Sequence, residues 1–147
     1  TFRVKDTFGK VEYNGRGDVE TYNDRKEAGF IGHYKTTAEA MFHYYVKPQS
    51  TGNRTDVRWM SLSDTRNRLM VAAKSPFQFS VTPFSDSVID RATHINQLSR
   101  DGMLTVHLDA AQSGVGTATC GPGVAEKYRV SVKPTSFEFV LYPAMAK

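Results

Sequence analysis

The stretch that decides how this chain folds is residues 47–59, KPQSTGNRTDVRW. Arg54, Asp56 and Arg58 occupy alternate positions, and Val57 and Trp59 stand between them. Alternation with period two is the pattern of a strand, in which every second side chain points to the same face. Residues two apart on one face lie roughly 7 Å apart, so the pattern predicts a row of Arg54, Asp56 and Arg58. Val57 and Trp59 are then expected to face the opposite layer. A desolvated arginine must find acceptors, and Glu20 and Asp24, in DVETYNDR, are the candidates to complete the row from a neighbouring strand. A row open to solvent that binds an acidic ligand is the other reading of the same pattern.

The same period recurs outward from this stretch. FHYYVKP alternates Phe42, Tyr44 and Val46, and FQFSV alternates Phe77, Phe79 and Val81. LTVHLDA alternates Leu104, Val106 and Leu108, YRVSV alternates Tyr128, Val130 and Val132, and SFEFVLYP closes the series. STGN, SRDG, CGPG and KPTS lie between them and carry the residues that turns favour. FSDSVIDRATHINQL breaks the period, and Ser85 and Asp86 ahead of Val88 and Ile89 predict a short helix near 86–92. No repeat or linker interrupts the chain, so the expected fold is one all-β, antiparallel β-sandwich domain over residues 1–147, of about eight strands.

With 147 residues, 39% hydrophobic and 23% charged, the composition is that of a globular chain, and no apolar run approaches a membrane span. Neither membrane nor nucleic acid is an expected partner. The net charge of +4 comes from basic residues scattered along the sequence, without the stripe or motif of a nucleic-acid binder. Cys120 is the sole cysteine, so no internal disulfide forms. The first residues lack both a signal-peptide pattern and an initiator Met, and the chain reads as cut from something longer.

Short motifs add little. GRGD at 15–18 is expected to be a turn, and Asn53-Arg54-Thr55 fits a glycosylation acceptor. The Gly-rich SGVGTATCGPG lacks the Lys-Ser or Lys-Thr of a phosphate cradle, so a tight loop is expected. His33, His43, His94 and His107 lack zinc-ligand spacing, so no metal site is expected. A glycosidase needs two carboxylates, one protonated and one ionised. Glu20, Asp24 and Asp56 each lie near an arginine in sequence, which favours the ionised form and a structural pair.

Three segments together carry a family resemblance: YNGRGDVETYNDRKEAGFIGHYKTT, YYVKPQSTGNRTDVRW and LDAAQSGVGTATCGPGVAEKY. In this order they resemble the C-terminal domain of family 2 β-galactosidases, the small chain of two-subunit members. Arg16, Gly17, Glu20, Tyr22, Asp24 and Arg25 match the family pattern, with Asp18 in place of a proline. Pro48, Gln49, Gly52, Asn53, Arg54, Asp56, Arg58 and Trp59 match the next motif, with Ser50 in place of a glutamate.

The resemblance implies the second half of a larger β-supersandwich, similar in fold to galactose mutarotases. It implies that the catalytic glutamates sit in a separate (β/α)₈ barrel, so this piece alone is expected to be non-catalytic. The expected partners are therefore the remaining domains of a β-galactosidase and, indirectly, its galactoside substrate. No cofactor is expected in this chain; the Mg and Na that enzymes of the family commonly use belong to the barrel. A missing first half predicts uncovered strand edges and self-association of the isolated piece.

Residues 113–122 correspond to a loop that, in the family, reaches the active-site mouth and offers a Trp to the sugar. Cys120 stands at that Trp position. Ala118, Thr119, Cys120 and Gly121 are the candidates for the substrate rim, and Arg16, Glu20, Asp24, Arg25, Arg54, Asp56 and Arg58 for a structural polar network. The sequence names no compartment, and the resemblance points to the cytoplasm or periplasm of a bacterium. An independent carbohydrate-binding module, using aromatics among Tyr13, Tyr22, Tyr34, Tyr44, Tyr45 and Trp59, is the alternative. A mutarotase-like enzyme is a third reading, from fold analogy alone.

Overall fold

A computed structural model describes residues 1–116 and 121–146. The strands among them are β1 (Phe2–Lys5), β2 (Lys10–Arg16), β3 (Ile31–Thr37), β4 (Arg54–Ser63), β5 (Asn67–Thr82), β6 (Met103–Asp109) and β7 (Phe139–Met145). Two short helices, α1 (Ala38–Met41) and α2 (Asp86–Arg91), and three 3-10 turns complete the described structure. All strand pairings are antiparallel, in the order β1-β6-β5-β4-β2-β3, and β7 pairs with β5. The fold is the expected all-β sandwich, built here by bending one continuous sheet.

The bend lies in the β4–β5 ladder. Val57 pairs with Phe77 and Trp59 with Ala72, so residues 73–76 of β5 stand opposite the single Arg58. Pro76 lies in the part of this run, residues 74–76, that registers with no strand, where a missing N–H costs no ladder bond. Strands that bend at such irregularities carry one layer into the next. Before the bend β5 is flanked by β4 and β7; beyond it, by β4 and β6. The Tyr13 ring of β2 then meets Phe79, on the far half of β5, edge-on at 5.3 Å.

Between the two halves lies the core, formed by Val11, Tyr13, Val57, Met60, Leu62, Val71, Phe77, Phe79, Val81, Leu104 and Val106, with Ala38 and Met41 of α1. Phe77, Phe79 and Val81 are at most 1% exposed, as their alternation predicts. A smaller cluster of Phe42, Phe84 and Ile89 seats α2. That helix falls where the sequence placed it. Its cap differs: the Ser85 carbonyl accepts from Val88 and Ile89, and the Ser85 hydroxyl bonds Ser87 and does not cap the helix.

Three sequence expectations are corrected. FHYYVKP and YRVSV form no strand; Val46 and Val132 project into solvent. More consequentially, Arg54, Asp56 and Arg58 do not share a face. Arg54 pairs with Phe79 and Val57 with Phe77, leaving Thr55 and Asp56 opposite Gln78 alone. This is a bulge, and Asp56 takes the positive φ of 54° that it requires. An extra residue flips every later side chain to the other face. Arg54 is therefore buried, Asp56 is half-buried and Arg58 faces solvent. Val57 enters the core, and the second register shift, between Val57 and Trp59, turns Trp59 to the outer face, where it packs against His33 at 5.2 Å between rings.

Candidate functional site

The polar side chains singled out in the sequence gather around the 17–30 excursion between β2 and β3, closed at its base by Gly17 N–H donating to the Phe30 carbonyl at 2.9 Å. The structure sorts them into four sites, where a single arginine–carboxylate row was expected. In the first, Asp56 accepts from Arg16 Nε at 2.5 Å and from Lys26 Nζ at 3.0 Å. Arg16 also donates to the Gly29 and Lys26 carbonyls, tying the excursion to the bulge.

Arg54 forms the second. The residue is 2% exposed, yet among the described residues its guanidinium meets no carboxylate. Nε donates to the Tyr13 hydroxyl at 2.9 Å, Nη1 to the Gly52 and Asn53 carbonyls at 2.9 and 3.3 Å, and Nη2 to the Asp18 carbonyl at 2.9 Å. The Tyr13 hydroxyl in turn donates to the Gly17 carbonyl. A buried cation is thus satisfied by neutral oxygens from three chain segments.

Glu20, expected beside that arginine, makes a third, accepting from the Tyr45 hydroxyl, the Thr51 hydroxyl at 2.7 Å and the Gly52 N–H at 3.0 Å. Arg25 reaches it at 3.4 Å from a largely exposed position. Beside Glu20 lies a groove of about 540 Å³ that Arg25, His43 and Tyr45 also line. Most of the acceptor capacity of Glu20 is already used.

Asp24 makes the fourth. Its Oδ1 accepts from the Val115 N–H at 3.0 Å and its Oδ2 from the Gly116 N–H at 2.7 Å. The adjoining Asn23 donates to the Gln112 carbonyl at 2.7 Å. Of the rim candidates, Ala118, Thr119 and Cys120 lie outside the described residues, and Gly121 is exposed. The described limbs that flank them are secured by Gly114 N–H to the Tyr128 carbonyl, Val130 N–H to the Ser113 hydroxyl, and Arg129 Nε to the Val124 carbonyl.

The three carboxyls share one electrostatic outcome. Burial pushes each pKa up, but the donors outweigh it: Tyr45, Gly52 and Thr51 at Glu20, Gly116 and Val115 at Asp24, and Arg16 and Lys26 at Asp56. All three stay below their ordinary carboxyl values and ionised near neutrality. A depressed carboxyl pKa contributes stability that is complete above the unfolded value and is lost as pH falls through the folded one. Urea midpoints are therefore expected to hold from pH 7 to about 5 and to fall steadily below about pH 4.5. A midpoint that rises on acidification would contradict this assignment.

Other motifs find structural uses. Asn53 is 2% exposed and donates to the Thr21 carbonyl and Gln78, so its amide is closed to glycosylation in the folded chain. Tyr13, among the aromatics of the binding-module reading, is fully buried and stacked on Tyr34 at 5.4 Å. Among the described residues no three His, Cys, Asp or Glu stand together as metal ligands, and no helix is long and apolar enough to cross a membrane. Tyr13, Lys26, Tyr45 and Thr51 are partners that sequence reading missed. Their spacing of 25 and 31 residues from Glu20, or 41 from Arg54, leaves no local signal.

The family model described as the β-galactosidase small chain matches residues 1–141. This chain belongs to the β-galactosidase small-chain family. The β-galactosidase of Kluyveromyces lactis is 33% identical over 144 residues, 95% of the small-chain domain and 14% of that protein. The β-galactosidase of Staphylococcus xylosus is 29% identical over 134 residues, 91% of this chain and 14% of its own length. The β-galactosidase BgaC of Bifidobacterium adolescentis is 36% identical over 114 residues, 74% and 11% respectively. The small-chain domain thus spans about one seventh of relatives that are whole β-galactosidases.

Proposed function

We propose that this chain is a non-catalytic domain of a β-galactosidase that packs beside the catalytic barrel and places the 113–122 loop at the rim of the galactoside site. The observation that carries this reading is the small-chain match over residues 1–141 within relatives some seven times longer. Site chemistry supports the non-catalytic half. Glycosidic cleavage needs a carboxylic acid held protonated near neutrality beside an ionised partner. Glu20, Asp24 and Asp56 are all drawn the opposite way by N–H and O–H donors.

The expected partners follow from β7. Among the described residues this strand is paired only to β5, and each of its residues is exposed, including Phe139, Val140, Leu141 and Tyr142. Phe139, Leu141 and Pro143 register with Ala73, Val71 and Leu69 on the core side of β5. Such an apolar, unflanked strand is where the remaining domains would dock, and where the isolated piece would self-associate. The Mg and Na of the whole enzyme would be held by the barrel, as the resemblance implies.

The purified chain, freed of contaminating hydrolase, is expected to leave a chromogenic β-galactoside unhydrolysed. Steady turnover abolished by Glu20→Gln or Asp56→Asn would overturn the proposal.

A further inference from the structure

Asp24 does more than hold a charge. Consecutive backbone N–H groups, those of Val115 and Gly116, point at its two oxygens at 3.0 and 2.7 Å. Asn23 adds the bond to the Gln112 carbonyl and accepts from Gln78 Nε2 at 3.3 Å. Gln78 lies on β5, is 6% exposed and is itself held by Asn53 at 2.8 Å. One dipeptide therefore ties residues 112, 115 and 116 to the buried layer.

The backbone is shaped for the same contact. A Cβ on Gly114 would fall 2.3–2.6 Å from the Asp24 carboxyl atoms, so only glycine admits the carboxylate there. Gly116, at φ +61°, turns the limb, and a Cβ on it would lie 3.0 Å from the Val124 nitrogen. The outgoing and returning limbs are in contact at this point.

We propose that Asp24 is a positioning residue: it fixes the limb at residues 112–116 from which the chain enters the rim candidates and so, resting on the rim assignment above, sets the affinity of the intact enzyme for its galactoside. Two parallel charge-assisted bonds to successive amides define both the place and the angle of the limb. Asparagine keeps a single acceptor oxygen and would set an N–H against the second amide, and alanine keeps none.

The test uses the intact β-galactosidase polypeptide carrying Asp24→Ala, Asp24→Asn or Gly114→Ala. Hydrogen exchange of the Val115 and Gly116 amides is expected to accelerate about tenfold or more in D24A and G114A, and less in D24N, while the Val81 amide of β5 keeps its protection. KM for a chromogenic galactoside is expected to rise about three- to tenfold with kcat nearly unchanged, the pattern of lost uniform binding. Unaltered exchange at Val115 and Gly116, or equal acceleration at Val81, overturns the positioning role. Faster exchange at the limb with unchanged KM upholds the limb attachment and overturns its link to the galactoside site.

Discussion

Replacing Arg54 with alanine is expected to remove about 3–5 kcal/mol of folding stability, read as a lower urea midpoint at unchanged slope. Arg54 is 2% exposed, and its guanidinium donates to the Tyr13 hydroxyl and to the carbonyls of Gly52, Asn53 and Asp18. Its loss leaves these acceptors at the floor of the groove beside Glu20, which Arg54 also lines, and each acceptor that stays buried without a partner costs about 1–3 kcal/mol. It also opens a cavity against Tyr13, whose ring packs on both Tyr34 and Phe79. Since a domain holds only about 5–15 kcal/mol in all, the variant should sit close to unfolding. Lysine is expected to rescue little, because one ammonium cannot reach acceptors that Nε, Nη1 and Nη2 serve from different directions. A loss below about 1 kcal/mol for Arg54→Ala would mean that the site is far wetter than its geometry states.

The second large effect is expected at Gly52. Its φ of +78° is one that side-chain-bearing residues rarely adopt, and a Cβ there would meet the Met41 carbonyl oxygen at 2.2 Å. Its N–H also supplies one of the bonds to Glu20. Gly52→Ala is expected to cost about 3 kcal/mol or more, combining left-handed strain with displacement of α1. Gly102 provides the control: it has the same φ of +78°, but a methyl group added there would find nothing within 4 Å. Gly102→Ala should therefore cost only about 1–2 kcal/mol, the conformational part alone. Equal midpoints for the two variants in parallel urea titrations would show that the Met41 contact relaxes freely.

What could be read directly from the sequence was the part of the fold in which period and burial coincide. FQFSV and LTVHLDA lie in β5 and β6, and their alternate residues fill the core, so their pattern reports their environment. FHYYVKP carries the same alternation without a neighbouring ladder. Phe42 is instead drawn into a side cluster with Phe84 and Ile89, and Val46 is left 87% exposed. Period alone does not say whether a partner strand arrives.

The polar residues divide along the same line. That Arg54 and Glu20 would be structural was legible from their types; their partners were not. The bulge that separates Arg54 from Asp56 carries no glycine to announce it, because Asp56 adopts the left-handed conformation itself. An aspartate between two arginines at strand spacing was the available hint, since Asp is among the few residues that visit that region. Asp24 was grouped with the arginines by proximity in sequence, but two backbone amides some ninety residues away claim its carboxylate.

The pairing of β1 with β6 sets a timetable for assembly. Phe2 registers with Val106 and Lys5 with Met103, so β1 meets β6, its ladder partner among the described residues, only after about a hundred further residues have been synthesised. Closing so long a span before any contact rewards it makes this edge the late step of a slow, high-contact-order process. Until then Phe2 and Val4 wait as an apolar thread ahead of the rest of the sheet, within reach of a chaperone or a wrong neighbour.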